Sequence, residues 1–347
     1  MSRFLQEHRQ RQEAQRGFAL PLALIAIALL SIITIAGYRA VSGAAVIVTS
    51  LQDNALDEQA LFSAEAEATF TFLTGANAVG GILTGVKPGQ GADPFGNAAA
   101  TESLDANALW RANGESRLMQ NEQRSVTVNY YDAAGFPPVF VLADNQIAAL
   151  LLASGFKRDQ AIEFAARIGD YQDGDDIRRF RGAERADYRL FGVSPPANSP
   201  LRTAGELASV LGFSDAAPFA SWDFLTENAR FGGVGTVYSP SFGPEKISGI
   251  FSDESISELG PGGANEYAVN VVQPSDTARF LLTNRSRAGL TRRRAVEIMR
   301  TAGAVDKPFR RVWIYDKVEN DNGSATAADE QRNMAPVFQP APPADPG

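Results

Sequence analysis

The sequence predicts an α+β protein: a long N-terminal helix packed on a small antiparallel sheet, interrupted by a large inserted α-helical domain. Three observations predict it. An uncharged run, Phe18 to Tyr38, leads into a stretch with neither glycine nor proline from Ala44 to Thr74. Short alternating runs, SVTVNYY (125–131) and RVWIYDKV (311–318), lie far apart in the chain. Helical signals crowd the sequence between them.

The first element is one helix from about Phe18 to Thr74. Its uncharged first part spans about 30 Å at 1.5 Å per residue, close to the hydrocarbon thickness of a bilayer. Its second part is amphipathic. Leu51, Ala55, Leu61, Phe62, Ala66, Phe70 and Leu73 recur near helical spacing, with Asp53, Asp57, Glu58, Glu65 and Glu67 between them. Ahead of it, Arg3, Arg9, Arg11 and Arg16 outnumber Glu7 and Glu13, which keeps the N-terminus cytoplasmic and sends the bulk of the chain across. The apolar run is longer than the core of a cleaved secretory signal.

Gly75 to Ala100 reads as a flexible loop, and a helical or mixed segment runs on to about Asn121. Ser125–Tyr131, the turn Asp132–Pro138 and a return at Val139–Leu142 form a hairpin signal. Gln146–Ile168 is helical in two pieces split at Gly155, and Leu201–Leu211 is a further helix. Tyr267–Gln273 reads as a strand, Arg279–Ala302 as two helices, and Arg311–Val318 as the last strand. The Asn/Ala/Pro-rich tail from 320 to 347 reads as disordered. Gly155-Phe-Lys-Arg-Asp-Gln-Ala-Ile-Glu-Phe164 aligns with Gly289-Leu-Thr-Arg-Arg-Arg-Ala-Val-Glu-Ile298. Two helix-hairpin-helix (SAM-like) repeats are therefore expected.

The chain is acidic, with 40 Asp and Glu against 32 Lys and Arg, and carries net charge −8. No nucleic acid is expected as a partner. An alternative is a membrane-anchored periplasmic receptor for DNA or protein, using the hairpin repeats and Arg292–Arg294. There is no cysteine, and the only histidine is His8 in the leader. These facts exclude disulfides, thiolate nucleophiles and histidine chemistry in the body, and no catalytic residue is assigned.

Asp170, Asp173, Asp175, Asp176, Glu184 and Asp187 crowd into 18 positions, with glycines at 174 and 182. Carboxylates on a turning loop suit calcium. A solvated loop balanced by Arg178, Arg179, Arg181 and Arg185 explains the same residues, and the spacing is not that of an EF-hand.

Two resemblances bear on these choices. Arg16-Gly17-Phe18 before an apolar helix resembles the leader of type IV pilins and type II secretion pseudopilins. It implies cleavage by a prepilin peptidase between Gly17 and Phe18, and N-methylation of Phe18. The glutamate usual at the fifth mature position is replaced by Leu22. A tip subunit with no neighbour ahead loses nothing by that, because an unpaired carboxylate in lipid is costly.

The order Asp170-Tyr171, Asp173, Asp175-Asp176, Gly182-Ala183-Glu184, Asp187-Tyr188, Pro196, Asn198, Pro200-Leu201 and Glu206-Leu207 resembles the K-type minor pseudopilins of type II secretion (general secretion pathway protein K). That resemblance implies a pilin-like fold with a 1–17 leader, a transmembrane part 18–38 and a head begun by 39–145. The helical domain is inserted at 146–251, and the head is completed by 252–319 with the second SAM-like repeat. It also implies one or two calcium ions on Asp173, Asp175, Asp176 and Glu184, with Asp170 and Asp187 as weaker ligands. The expected location is the inner membrane, single-pass, with the bulk of the chain periplasmic. The implied role is initiating or capping the pseudopilus at its periplasmic tip during export of folded proteins. Partners implied are the I-type and J-type minor pseudopilins, then the major pseudopilin, the secreted substrate and the secretin.

Overall fold

A computed structural model describes residues 19–84, 108–120, 124–232, 238–251, 259, 273–286, 289–301 and 309–320. The chain divides into two compact units, Met1–Glu58 and Gln59–Gly347. The helix α1, Ala19–Thr74, contributes to both.

In the first unit, α1 carries an open apolar run, and from Pro21 it is long and apolar enough to cross a membrane. Pro21 falls in the first turn, where a missing N–H breaks no helical bond. The hydroxyls of Ser31, Thr34, Ser42 and Thr49 donate to the carbonyls four residues back, at Ile27, Leu30, Tyr38 and Ala45. Each of these hydroxyls is thus satisfied without water, which a lipid environment demands. Leu22 is exposed on this helix. Gly17 and Phe18 lie outside the described residues.

In the second unit, the end of α1 buries Ala60, Leu61, Ala64, Ala68 and Phe72, the last four spaced by three, four and four residues along one stripe. They pack on a five-stranded antiparallel sheet of order β4-β5-β6-β7-β8. Its strands are β4 Asn113–Gln120, β5 Ser125–Asp132, β6 Thr277–Arg285, β7 Leu290–Arg300 and β8 Phe309–Asn320. A smaller sheet joins β1 Ala76–Ala78, β2 Gly81–Leu83 and β3 Leu109–Arg111. Val126, Val128 and Tyr130 of β5 face inward with period two, as do Ala278, Phe280 and Leu282 of β6. Trp110, Tyr130 and Phe280 have ring centroids 5.4–5.7 Å apart, and Phe72 closes on Tyr130 and Phe280 at 6.2 Å. Each such ring contributes about 1.5–3 kcal/mol by burial.

The end of α1 is also tied by charge. Arg294 of β7 is buried between the rings of Phe62 and Trp313, each 4.6 Å away. It bonds Asp316 at 2.7 Å and approaches Glu65 at 3.8 Å. Glu65 also pairs with Arg311. Arg300 donates to the carbonyls of Phe72 and Gly75, closing the last turn of α1.

Strands β5 and β6 are hydrogen-bonded neighbours, yet the chain between them carries every described helix after α1. These are α2 Asp144–Ala153, α3 Arg158–Gln172, α4 Arg185–Leu190, α5 Phe213–Ala216, α6 Phe219–Asn228 and α7 Glu245–Ser248. They enclose a second core around Ile147, Leu150, Leu151, Phe156, Phe164 and Phe213. The Asp132 carboxylate at the end of β5 accepts from the N–H and hydroxyl of Ser275, just before β6, so both ends of the excursion meet. Arg279 of β6 bonds Glu297 at 2.7 Å and the carbonyls of Glu227 and Ala229, joining sheet to helices.

The structure corrects several expectations. The second hairpin-helix repeat is absent: Arg279–Ala302 supplies most of β6 and all of β7, and Gly289 sits in the turn between them. The Ser286 N–H donates to the Leu290 carbonyl across that turn at 2.8 Å. Where a helical or mixed segment was expected, Leu109–Arg111 and Asn113–Gln120 are strands. Strand β5 pairs with β4 and β6, whereas Val139–Val141 is a single 3-10 turn. The expected helix at Leu201–Leu211 is a 3-10 turn at Ala204–Ser209. Most of the Gly75–Ala100 loop, residues 267–272 of the expected strand, the leader and the tail beyond 320 lie outside the described residues.

Candidate metal centre

The acidic loop joins α3 to α4. Helix α3 is capped by Asp173, whose N–H still reaches the Gly169 carbonyl at 3.1 Å. Asp170, one turn earlier, is fully buried. The Arg179 guanidinium reaches it at 2.9 Å, and the Arg179 backbone N–H donates to both its oxygens at 3.2 Å. Arg179 also binds Asp173 and lies 3.6 Å from Asp144. A Cβ at Gly182 would stand 1.9 Å from an Asp170 oxygen, so only glycine lets the loop close over this carboxylate.

Three carboxylates converge. One ligand oxygen each from Asp173, Asp175 and Glu184 lie within 4.8 Å of one another. Asp175 Oδ1 accepts the Ile177 N–H at 2.7 Å, a local turn that fixes its direction. Glu184, just ahead of α4, is buried, and neither of its carboxylate oxygens has a well-formed hydrogen bond. Burial, together with the charges of Asp170, Asp173 and Asp176, pushes its pKa up to about 7, and the Arg185 N–H offsets this only in part. One oxygen of Asp173 is likewise buried without a partner.

This donor set fits a hard divalent cation. It offers carboxylate oxygens only, several of them buried and unsatisfied, with no nitrogen or sulfur donor to favour a transition metal. Asn198 adds to it. It adopts a left-handed backbone (φ 47°), its amide donates to the Asp175 carbonyl at 3.3 Å, and its Oδ1 is buried and unpartnered. One oxygen each of Asp173, Asp175 and Glu184 is placed where it could hold such an ion, and Asn198 is tied beside them through the Asp175 carbonyl.

The family comparison falls on this same region. Residues 118–218 match the model of the family described as type II secretion system (T2SS), protein K. The match covers less than a third of the chain. It begins in β4 and carries β5, helices α2–α5 and the whole acidic loop. Among solved structures, a chain of the GspK-GspI-GspJ complex from the enterotoxigenic Escherichia coli type 2 secretion system is similar. That match has 14% identity and a TM-score of 0.38, and covers 59% of this chain and 84% of that one. No curated protein matches this chain.

Within the matched segment, the six expected carboxylates part company. Asp173, Asp175 and Glu184 come together. Asp176 is exposed and lies 3.8 Å from Arg185, outside the three-carboxylate group. Asp170 is taken by Arg179. Asp187 accepts the Glu184 N–H at 2.9 Å and pairs with Arg178 at 3.1 Å, which makes it the N-terminal brace of α4. Asn198 was not among the ligands expected from the sequence. The signal that points to it is its place between two prolines at 196 and 200, which restrict the backbone around it.

The basic run proposed for a nucleic-acid face is dispersed. Arg294 is buried against Asp316, and Arg293 pairs with Glu319 at 3.4 Å on the sheet. A receptor built on two hairpin-helix units loses its second unit with them.

Proposed function

We propose that this chain is a minor pseudopilin that initiates or caps the type II secretion pseudopilus at its periplasmic tip. The observation that carries the reading is the protein K family match on the same chain as a membrane-length N-terminal helix. In this reading a prepilin peptidase cuts between Gly17 and Phe18 and the new amine is methylated. Helix α1 holds the subunit in the inner membrane with its bulk in the periplasm, then packs beside the helices of I-type and J-type partners. The major pseudopilin, exported protein and secretin are further contacts of such a tip. Leu22 suits a subunit that pairs with nothing ahead of it. A helical body inserted between two strands is bulky for a filament shaft and admissible at an end.

Calcium is the proposed ion, held by Asp173, Asp175 and Glu184 with Asn198, and by Asp176 if its side chain turns inward. It would neutralise carboxylates that otherwise repel one another and fix the loop between α3 and α4. The helix-glycine-helix unit of α2 and α3, turning at Gly155, serves as the packing scaffold for that loop in the proposed head, which runs from about residue 39 to 319 around the insertion at 146–251.

The test is the N-terminal sequence and intact mass of the protein from membranes of cells with and without a prepilin peptidase. The expected result is a methylated Phe18 terminus that depends on the peptidase. An unprocessed Met1 terminus in both strains, or cleavage after the apolar run, overturns the reading.

A further inference from the structure

The loops that carry the carboxylates also present an unusual outer surface. Phe180 is 87% exposed, Leu190 82%, Ile177 76% and Phe191 70%, and Val193 is open as well. The Arg178–Asp187 bond at 3.1 Å ties the 177–181 loop to α4, which ends at Leu190 and Phe191. These apolar side chains therefore belong to one local surface. Arginines are interspersed. Between Ile177 and Val193 there are five, against two carboxylates, in a chain of net charge −8. Arg178, Arg181, Arg185 and Arg189 are exposed. Arg181–Asp159 and Arg185–Asp176 are long contacts of 3.8 Å between exposed groups, which exchange for other anions at little cost.

We propose that this surface docks on the anionic headgroup face of a lipid bilayer, with Phe180, Ile177, Leu190 and Phe191 entering the interface and the arginines binding lipid phosphates. Aromatic and aliphatic tips among arginines match a layer that is apolar below and negatively charged above. The chain itself supplies the bilayer: a domain tethered to a membrane meets it at high effective concentration, so a weak site suffices. The inference rests on the membrane-anchored reading, and describes the subunit before it joins an assembly. Calcium on Asp173, Asp175 and Glu184 would hold both halves of the surface in place.

The absence of cysteine makes the test clean. The full chain carrying Phe180→Cys, or separately Leu190→Cys, is labelled with a polarity-sensitive fluorophore. It is then placed in nanodiscs of phosphatidylcholine alone or with phosphatidylglycerol. Co-elution of protein with discs reports the anchor independently, and calcium titration of the same samples reports the fold and the metal centre. The expected result is a blue-shifted emission in anionic discs that fades with salt and is weaker in neutral ones. The Arg181→Gln/Arg189→Gln variant, which leaves the Arg178–Asp187 tie in place, should lower the docked-to-undocked ratio about thirty-fold, from about 1 kcal/mol per arginine at an anionic surface. Identical emission in both discs for both label positions, with protein co-eluting, overturns the proposal. So does a shift that appears only on adding another minor pseudopilin or an exported protein, which would make the surface a protein contact. A shift that persists in a variant unable to bind calcium keeps the docking and removes only the metal's part in it.

Discussion

At the scale of single residues, Glu184 is the most informative side chain. Its pKa of about 7 lies above the ordinary carboxylate value, so the folded protein holds this proton where the unfolded chain has released it. The stability this contributes is fully present below the unfolded pKa and is lost as pH rises toward 7. Without calcium, the melting temperature should therefore fall between about pH 5 and pH 8, as thermal melts in chelator would show. Calcium binding must expel the same proton, so affinity should rise through pH 7, by up to about tenfold per unit where one proton is released. Titration calorimetry at three pH values, in buffers of different ionisation enthalpy, reads both affinity and proton release. Glu184→Gln should abolish the calcium response and flatten the metal-free pH dependence. A Gln variant that still gains stability from calcium would move the ion elsewhere.

Gly182 makes the complementary prediction. Gly182→Ala forces a methyl into the Asp170 carboxylate, which opens the loop over a buried ion pair. A loss of about 2–4 kcal/mol is expected, with calcium affinity falling alongside it. Denaturant unfolding of the chain in detergent, with and without calcium, checks both.

At the scale of elements, the end of α1 is held by charges as well as by its apolar stripe. Glu65→Gln leaves Arg294 and Arg311 without their shared carboxylate, and Arg294 is almost wholly enclosed. The expected cost is about 3 kcal/mol, read from the tryptophan fluorescence of Trp313 during unfolding. Arg294→Met in the Glu65→Gln background should return part of it, because a thioether needs no anion.

Elements also show what a sequence can and cannot tell. The long helix was legible because length, charge and periodicity agree over more than fifty residues. The final strand was legible for the same reason. Strand β6 carried a weaker signal: Ala278, Phe280 and Leu282 alternate, but Leu281 between them is apolar as well and the buried Arg279 breaks the pattern. The likeness of 289–298 to 155–164 hid it. Both segments open on glycine, and both glycines take left-handed backbone, φ +107° at Gly155 and +77° at Gly289. The first turns one helix into another and the second turns one strand into another. Glycine permits the bend without selecting the element on its far side. The acidic loop was legible as a cluster. The division of labour among its carboxylates was not, since it depends on where Arg179, Arg178 and the α4 N-terminus happen to meet them in space.

At the scale of the whole molecule, a segment matching the protein K family and a membrane-length helix sit on one chain, and the proposed tip subunit makes a demand on assembly. Restoring glutamate with Leu22→Glu should leave processing at Gly17–Phe18 intact, yet hinder use of the subunit at the first position. Secretion of an exported protein from cells carrying only this variant is the measurement, with a decrease expected. Unchanged secretion would mean that the fifth position does not mark a tip subunit.

The meeting of Asp132 with Ser275 has a consequence for how the protein comes to be folded. Strands β5 and β6 are neighbours in space but more than 140 residues apart along the chain. If that whole length stayed loose until the strands paired, the search would be slow and the growing sheet would expose unpaired edges. A helical body that condenses first, from its own local contacts, brings the two strand ends together before they pair. The sheet is then the late event. A divalent ion that rigidifies the body would speed the closing of a sheet it never touches, and its loss would show first as slow maturation and only afterwards as weak stability.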